Sequence, residues 1–303
     1  MSEPAPGSGL RADLLAAGLL VATGVDGLYG RSATFEQVVG GLADMVTRAA
    51  ADLAPVRLHF PPVEPTQDFL ASGYLRSFPD LTGAVSAFTG GDRDHARLLG
   101  VLEDGGDWTA GLSPAGVVLT PAVCHPLYPG LRGVLPPEGR TFEVAGWCFR
   151  HEPSLDPARM QAFRQHEVVV VGDPETARRH RDRWVDLALD LTRNGLGLAT
   201  EAVVANDPFF GRLGKVLAAS QQQEALKIEL VVPVALDTPT AVVSSNCHED
   251  HFGAAFGIEL PDGSPAHSAC VGFGLERLTL ALFAAHGLAP QGWPADVRRT
   301  LRL

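Results

Sequence analysis

The run FRHEPSLDPARMQAFRQHE, Phe149 to Glu167, decides the reading of this chain. Apolar residues from Val144 to Phe149 lead into it, the turn-forming PSLDP occupies 153–157, and the β-branched run Val168 to Val171 follows. The pattern is strand, polar loop, strand: a hairpin with Arg150 and Glu152 on one strand and Phe163, Gln165 and Glu167 on the other. Side chains alternate along a strand, so each set shares a face. The hairpin then presents an arginine, two carboxylates and an aromatic ring together. Downstream, CVGFGLERL from Cys270 to Leu278 places Arg277 in an equally apolar setting. An unpaired guanidinium in such surroundings costs several kcal/mol, so both arginines imply an anionic partner.

Outward from this pair of segments, the periodicity predicts one α+β domain. Phe35 to Ala51 has helical spacing, with Phe35, Val38, Val39, Leu42, Met45 and Val46 on one side. Strands are expected at Val56–Phe60, Ala84–Phe88, Val117–Leu119, Phe142–Phe149, Val168–Val171, Ile228–Val234, Ala241–Ser244 and Ala254–Leu260. Helices are expected at Pro174–Asn194, opened by Asp173 as cap, at Pro208–Ala225, and at Gly274–His286. Hairpin-joined strands with helices outside them imply an antiparallel sheet rather than a doubly wound one. The expected division is an N-terminal segment, 1–33, whose Pro/Gly/Ser-rich first ten residues are unstructured, and a catalytic domain, 34–303.

Of the 303 residues, 46% are apolar and 19% charged, the composition of a soluble globular protein. The apolar stretch Leu14 to Val21 is flanked by Glu3 and Asp13 where an export signal needs positive charge, so a helix is expected there. No apolar run reaches the roughly 20 residues of a membrane span. Four cysteines without a close pair suit a reducing, cytoplasmic setting. The net charge of −11 disfavours nucleic acid as a partner, because phosphate neutralisation by lysine and arginine supplies most of such affinity.

FRHE, a loop, then Arg159 four residues before Phe163 resembles motif 2 of the class II aminoacyl-tRNA synthetases, and GFGLER (Gly272 to Arg277) resembles their motif 3. VRLHFPPVEP (Val56 to Pro65) with SGYLRSFP (Ser72 to Pro79) resembles motif 1, the dimer-forming element. The match is closest to seryl-tRNA synthetases, but only about thirty residues stand before the first core helix here, so the long helical tRNA-binding domain of those enzymes is not expected. The chain is therefore identified as resembling the amino acid:(carrier protein) ligases. NDPFFGR (Asn206 to Arg212) and NCHEDHFGAAFGI (Asn246 to Ile258) also look like that subfamily.

The resemblance implies a homodimer with a class II synthetase core that uses ATP to activate a small amino acid as an adenylate. The adenylate is then passed to the phosphopantetheine thiol of an acyl carrier protein, with no tRNA. A compact aminoacyl-tRNA synthetase and a noncatalytic amino-acid-binding paralogue are the alternatives. Arg150 is expected at the α-phosphate, Arg159 and Arg277 at the β- and γ-phosphates, and Phe163 and Arg277 on either face of the adenine. Met160 is expected beside the nucleotide, Glu152 at the adenine amine, and Glu229 at Mg²⁺. Guanidinium suits these roles because it binds phosphate bidentately and stacks on rings. Taken singly, each of these residues could equally be an ordinary salt-bridged side chain.

Cys124, Glu167 and Cys270 are too scattered to be a zinc motif by spacing, and a lone cysteine beside an apolar strand is commonly just buried. The resemblance implies that these three hold Zn²⁺ with one position open for the substrate's α-amino group. Ser113 to Gly116 is expected to replace the carboxylate-bearing motif that binds this amine in ordinary seryl enzymes. Cys148 and Cys247 compete as ligands, the latter with His248 and His251 nearby. Glu167 and Asn246 are expected to shape the amino-acid pocket. Arg178, Arg179, His180, Arg181 and Arg183, with Arg212 and Lys215, form a candidate basic surface for an acidic carrier protein, or simply a solvated helix face.

Overall fold

The computed structural model describes residues 8–205, 226–234 and 239–303. The expected helix Pro208–Ala225, the segment Asn206 to Arg212, and Lys215 lie outside the described residues. In chain order the elements begin with helix α1 (Ser8–Ala16), hairpin strands β1 (Leu20–Ala22) and β2 (Tyr29–Arg31), and helix α2 (Ala33–Ala49). Next come β3 (Val56–Leu58), β4 (Val63–Pro65), α3 (Thr66–Ala71), α4 (Tyr74–Ser77), β5 (Ala84–Ala87), α5 (Asp92–Glu103) and β6 (Ser113–Leu119). They are followed by β7 (Gly133–Val134), β8 (Arg140–Phe149), β9 (Ala162–Gly172), α6 (Pro174–Asp190), β10 (Glu201–Ala205), β11 (Lys227–Val232) and β12 (Thr240–Glu249). The last are α7 (His251–Phe256), β13 (Ile258–Glu259), β14 (His267–Gly274), α8 (Leu275–His286) and α9 (Ala295–Leu301).

Seven strands form the main sheet in the order β10-β11-β12-β14-β9-β8-β3. Every neighbouring pair is antiparallel except β3 with β8, which run parallel. A smaller sheet has the order β4-β6-β5. The α+β architecture with an antiparallel sheet and flanking helices is the one the sequence predicts.

The two faces of the sheet bury different things. On one, α2, α6 and α8 pack their apolar stripes, and Phe35, Leu42, Trp184, Phe273 and Leu278 join one core with Leu14, Leu20 and Tyr29 of the N-terminal helix and hairpin. On the other, Tyr128 stacks on Phe252 of α7 at 3.9 Å between ring centroids, and the layer includes Cys124, Cys148 and Cys270. Helix α2 opens on Ser32, whose side chain accepts from the Phe35 amide at 3.2 Å, and α6 on Asp173, which accepts from the Glu175 and Thr176 amides at 2.8 Å. Among the described residues no helix is long and apolar enough to cross a membrane.

Several expectations need correction. Arg150 and Glu152 lie just beyond the end of β8, in the loop, because the strand pairing ends with Phe149 opposite Ala162. Ala254–Leu260 is not one strand: its first half belongs to helix α7, where Phe252 and Phe256, four apart, both turn inward, and Gly257 ends the helix at φ +63°. The apolar Leu14–Val21 splits into the end of α1 and β1 around Gly18, and α1 starts within the first ten residues. The central strand β14 is absent from the expected strands because HSACVGFG is built largely from small residues with weak β preference.

His180 on α6 is buried, packs near Trp184, and bonds the Val168 carbonyl at 3.0 Å. Burial lowers its pKa to about 4, against the bond to Val168. The unfolded chain therefore binds more protons between that value and the ordinary imidazole value, so this contribution is full above about pH 6.5 and is lost progressively as pH falls to about 4. Between pH 7 and pH 4.5, urea unfolding is expected to show a loss about 2–3 kcal/mol larger in the wild type than in His180→Gln; equal losses would show that His180 is not buried neutral.

Candidate active site

Strand pairing brings the separated donors together. Asn246 on β12 pairs with Cys270 on β14, and Gly272, two residues on, pairs with Glu167 on β9. Residues two apart share a face, so Asn246, Cys270 and Glu167 project to the same side. Cys124, in the turn after β6, completes the cluster. The ligand atoms of Cys124, Glu167 and Cys270 all lie within 4.8 Å of one another, and all three residues are buried. Gly272 is the space for this arrangement: a Cβ there would meet Glu167 Oε1 at 3.1 Å.

The same alternation sends Cys247 to the opposite face, where it packs with Val170, Ala177 and Ala269. Cys148 gives its thiol to Gln165 Oε1 at 3.0 Å instead. Neither joins the cluster. His248 does: its Nε2 lies 3.5 Å from Cys270 Sγ, while Nδ1 faces Ser268 Oγ at 3.0 Å and the Tyr128 hydroxyl at 3.4 Å. The sequence signal for it was the two-residue spacing from Asn246, whose Nδ2 also faces Cys270 Sγ, at 3.5 Å.

Burial pushes the Glu167 carboxyl well above the usual carboxylate range, and Cys270 adds to the shift. Cys124 is held well above the usual thiol value, first by its hydrogen bond with Cys270 and then by burial. Cys270 is drawn well below, first by that same bond and against burial, with His248 assisting. Three anions at this separation cannot coexist in a buried site unless a cation offsets them. Glu167 Oε2 is buried with no hydrogen-bond partner among the described residues. Two thiols and a carboxylate are a donor set that suits zinc, whose ligand distances of about 2.0–2.3 Å put neighbouring ligand atoms about 3.5 Å apart.

A second group of residues gathers around Phe163, which lies four residues before Glu167 on the same face of β9. Arg150 Nε donates to the Pro121 carbonyl at 3.2 Å, and its guanidinium lies 5.6 Å from the centroid of the Phe163 ring. Arg277 is half-buried, donating from Nε to Ala158 O at 2.9 Å and from Nη1 to Ala241 O at 3.1 Å. Burial first, then Arg150 and Arg159, lower its pKa below the arginine value, while Glu152 and Glu229 oppose them. Four of the predicted nucleotide residues therefore lie near enough to act on Arg277. Arg159, 56% exposed, approaches Glu152 at 3.8 Å, and Glu229 pairs with Lys227 at 3.0 Å. Met160 is buried in the main core, and its thioether accepts from Arg31 at 3.4 Å.

Two expectations move. Ser113 to Gly116 is exposed at the start of β6 and pairs in part with β5; the stretch bordering Arg150 is Thr120 to Cys124. The arginines of α6 lie on the helix that packs against the opposite sheet face, and three of the four have acidic neighbours: Arg179 with Glu175, Arg181 with Asp182, Arg183 with Asp52.

No protein-family profile matches the chain. The structure is similar to that of the M. kandleri seryl-tRNA synthetase, crystallised in complex with A. aeolicus tRNASec, with a TM-score of 0.83 and 23% identity over 99% of this chain and 62% of that one. The fold is accordingly that of a class II aminoacyl-tRNA synthetase catalytic core. Amino acid–(acyl-carrier-protein) ligase 1 of Bradyrhizobium diazoefficiens is 44% identical over 294 residues, 96% of this chain and 90% of the relative. Ligase 2 of the same organism is also 44% identical, over 305 residues, 100% of this chain and 90% of its own. The chain belongs to the amino acid–(acyl-carrier-protein) ligase family.

Because the carboxyl of Glu167 occupies the space over Gly272, Gly272→Ala is expected to destabilise the metal-free protein by about 1–3 kcal/mol in urea unfolding. A change below about 0.5 kcal/mol would mean that Glu167 can rotate away freely.

Proposed function

We propose that this protein activates a small amino acid with ATP and transfers it to the phosphopantetheine thiol of an acyl carrier protein. The observation that carries the reading is the placement of Arg150, Phe163 and Arg277 beside the sheet face that also gathers Cys124, Glu167 and Cys270. An anionic nucleotide and an amine-bearing substrate would there be held side by side, in a chain related at 44% identity to ligases of that name.

In the first step a carboxylate oxygen of the amino acid attacks the α-phosphorus of ATP. An O–P bond forms, the bond to pyrophosphate breaks, and the charge that shifts to the leaving group needs preplaced cations. Arg150 would meet the α-phosphate, Arg159 and Arg277 the outer phosphates, and Phe163 the adenine, with Met160 lining the base of the loop beside it. Glu152 would accept from the adenine amine, and Glu229 would help hold Mg²⁺. In the second step the carrier thiol attacks the acyl carbon, AMP leaves, and a thioester results. No protein nucleophile is required, because the thiol is reactive and the adenylate leaves readily.

Zn²⁺ bound by Cys124, Glu167 and Cys270 would supply a Lewis-acidic site for a free α-amino group. His248 and Asn246 orient Cys270 from the side, and Asn246 borders the pocket. Glycine, alanine and serine are the leading substrates. The protein is expected to work as a cytoplasmic homodimer; β3, within the segment that resembles motif 1, is an edge strand of the main sheet with Val56 53% exposed, which supports that reading.

Amino-acid-dependent ATP–pyrophosphate exchange across a panel of small amino acids is expected to select one or two of them, and adding holo carrier protein to yield a thioester. Arg277→Ala should lower exchange by about 10²-fold or more, on the order expected for a lost transition-state contact. Amino-acid binding without exchange would favour the noncatalytic alternative, and acylation of tRNA the synthetase alternative. Elemental analysis should find one zinc per chain in the wild type and little in Cys270→Ser; equal zinc in both would remove Cys270 from the ligand set.

A further inference from the structure

The segment between Arg159 and Phe163 is held from outside the motif that contains it. Gln161 is buried, its backbone N–H donates to Gly27 O at 2.9 Å, and its Nε2 donates to Asp26 O at 2.8 Å. Arg31, at the end of β2, donates from Nη2 to Ala162 O at 2.9 Å and to Met160 Sδ at 3.4 Å. Three consecutive residues, Met160, Gln161 and Ala162, are thus tied to the N-terminal hairpin. The approach is close enough to require glycine at position 27: its φ is +77°, and a Cβ would meet Arg159 O at 3.1 Å.

Arg31 itself is built into an ion network on the face of β9 opposite Phe163, between the sheet and helices α2 and α8. Its side chain is 10% exposed, lies 3.7 Å from Glu276 Oε1, and places its guanidinium 4.9 Å from the Trp147 ring centroid. Glu276 accepts from the Arg164 backbone at 2.6 Å and from Arg164 Nε at 2.8 Å. Arg164 also grips Glu36 with both terminal nitrogens, at 2.6 and 2.8 Å, and lies over the same Trp147 ring at 4.8 Å. Arg164 follows Phe163, and Glu276 precedes Arg277. One set of paired charges therefore sets the spacing between the ring and the arginine proposed to bind ATP.

We infer that the N-terminal hairpin, through Arg31, is a positioning element for ATP: it holds the Met160–Ala162 segment so that Arg159 and Phe163 are already aimed at one ligand. The inference rests on the ATP-site reading above. The loop from Arg150 to Arg159 has its own ties, Arg150 Nε to Pro121 O at 3.2 Å, the His151 amide to Leu81 O at 3.0 Å and Arg277 Nε to Ala158 O at 2.9 Å, whereas the side-chain anchors of the Met160–Ala162 segment named above come from the hairpin. Left unpinned, that segment would be ordered at the expense of nucleotide affinity on each binding event; pinned beforehand, it would not. Among the described residues, none of these hairpin bonds reaches Cys124, Glu167 or Cys270, where the amino acid is proposed to sit.

The test is calorimetric titration of the whole chain with a nonhydrolysable ATP analogue, for wild type, Arg31→Ala, Arg31→Lys and Gln161→Ala, beside the amino-acid KM in pyrophosphate exchange. Arg31→Ala is expected to weaken the analogue about tenfold, Gln161→Ala about threefold, and Arg31→Lys to recover part of the loss, with the amino-acid KM within about twofold of wild type. Gln161→Ala keeps the ion network and so keeps the test open if Arg31→Ala does not fold. Unchanged analogue affinity in folded variants overturns the inference. So does a parallel loss for ATP and amino acid, which would make Arg31 a residue of general stability. A wild type that binds no analogue sinks the ATP-site reading and this inference together.

Discussion

Burying three potential anions within 4.8 Å of one another is the constraint on which the rest of the structure depends. No arrangement of Cys124, Glu167 and Cys270 is stable there with all three ionised and unaccompanied. The structure works against that charge: burial raises the Glu167 carboxyl, the hydrogen bond between the two cysteines raises Cys124 and lowers Cys270, and Glu167 Oε2 has no hydrogen-bond partner among the described residues. The arrangement is tolerated because the β9–β14 pairing puts glycine where a side chain would collide with it. A cation would convert the same liability into affinity, and this is the physical basis for assigning zinc a working place in the proposed reaction.

The nucleotide side of the sheet face has the complementary problem. Burial first, then Arg150 and Arg159, lower the affinity of Arg277 for its proton while Glu152 and Glu229 oppose them, and three arginines stand here against two carboxylates in a chain whose overall charge is −11. Local excess of positive charge against a negative total is a device for collecting an anionic ligand at one place. The ring of Phe163 and the ion network of Arg31, Arg164, Glu36 and Glu276 fix that place relative to the cysteine–carboxylate cluster. Glu167 and Phe163 of β9 and Cys270 of β14 fix the two halves of the proposed chemistry to one sheet, and the loop and turn that carry Arg150, Arg159 and Cys124 border it.

Much of this is legible in local patterns. The hairpin around Phe149 to Glu167, helix α2 with its inward stripe, and the cap at Asp173 follow from physics that is complete within a few residues. The family-level resemblance rests on three motifs in order, and the three candidate ligands it implies lie together. Expectation and structure part where local preference is weak or ambiguous. Strand β14 is rich in glycine, alanine, serine and cysteine because it must pass beneath other groups, so its composition hides its role. The stretch after Asp250 reads as apolar enough for a strand, and only the packing of Phe252 and Phe256 beside Tyr128 turns it into a helix.

Periodicity, turn residues and side-chain type are enough to establish the α+β class, the hairpin that carries the arginine and carboxylates, and which residues have unusual chemistry. They cannot say which of four cysteines belong together, that Cys247 faces away while His248 faces in, or that Arg179, Arg181 and Arg183 of α6 lie on the other side with acidic partners. Those outcomes depend on strand register, since a shift of one residue reverses every side chain's face, and register is settled by the assembled sheet. The bonds from the N-terminal hairpin to Met160, Gln161 and Ala162 span 129 to 135 positions in sequence. They are a product of shared core packing, which no local pattern encodes.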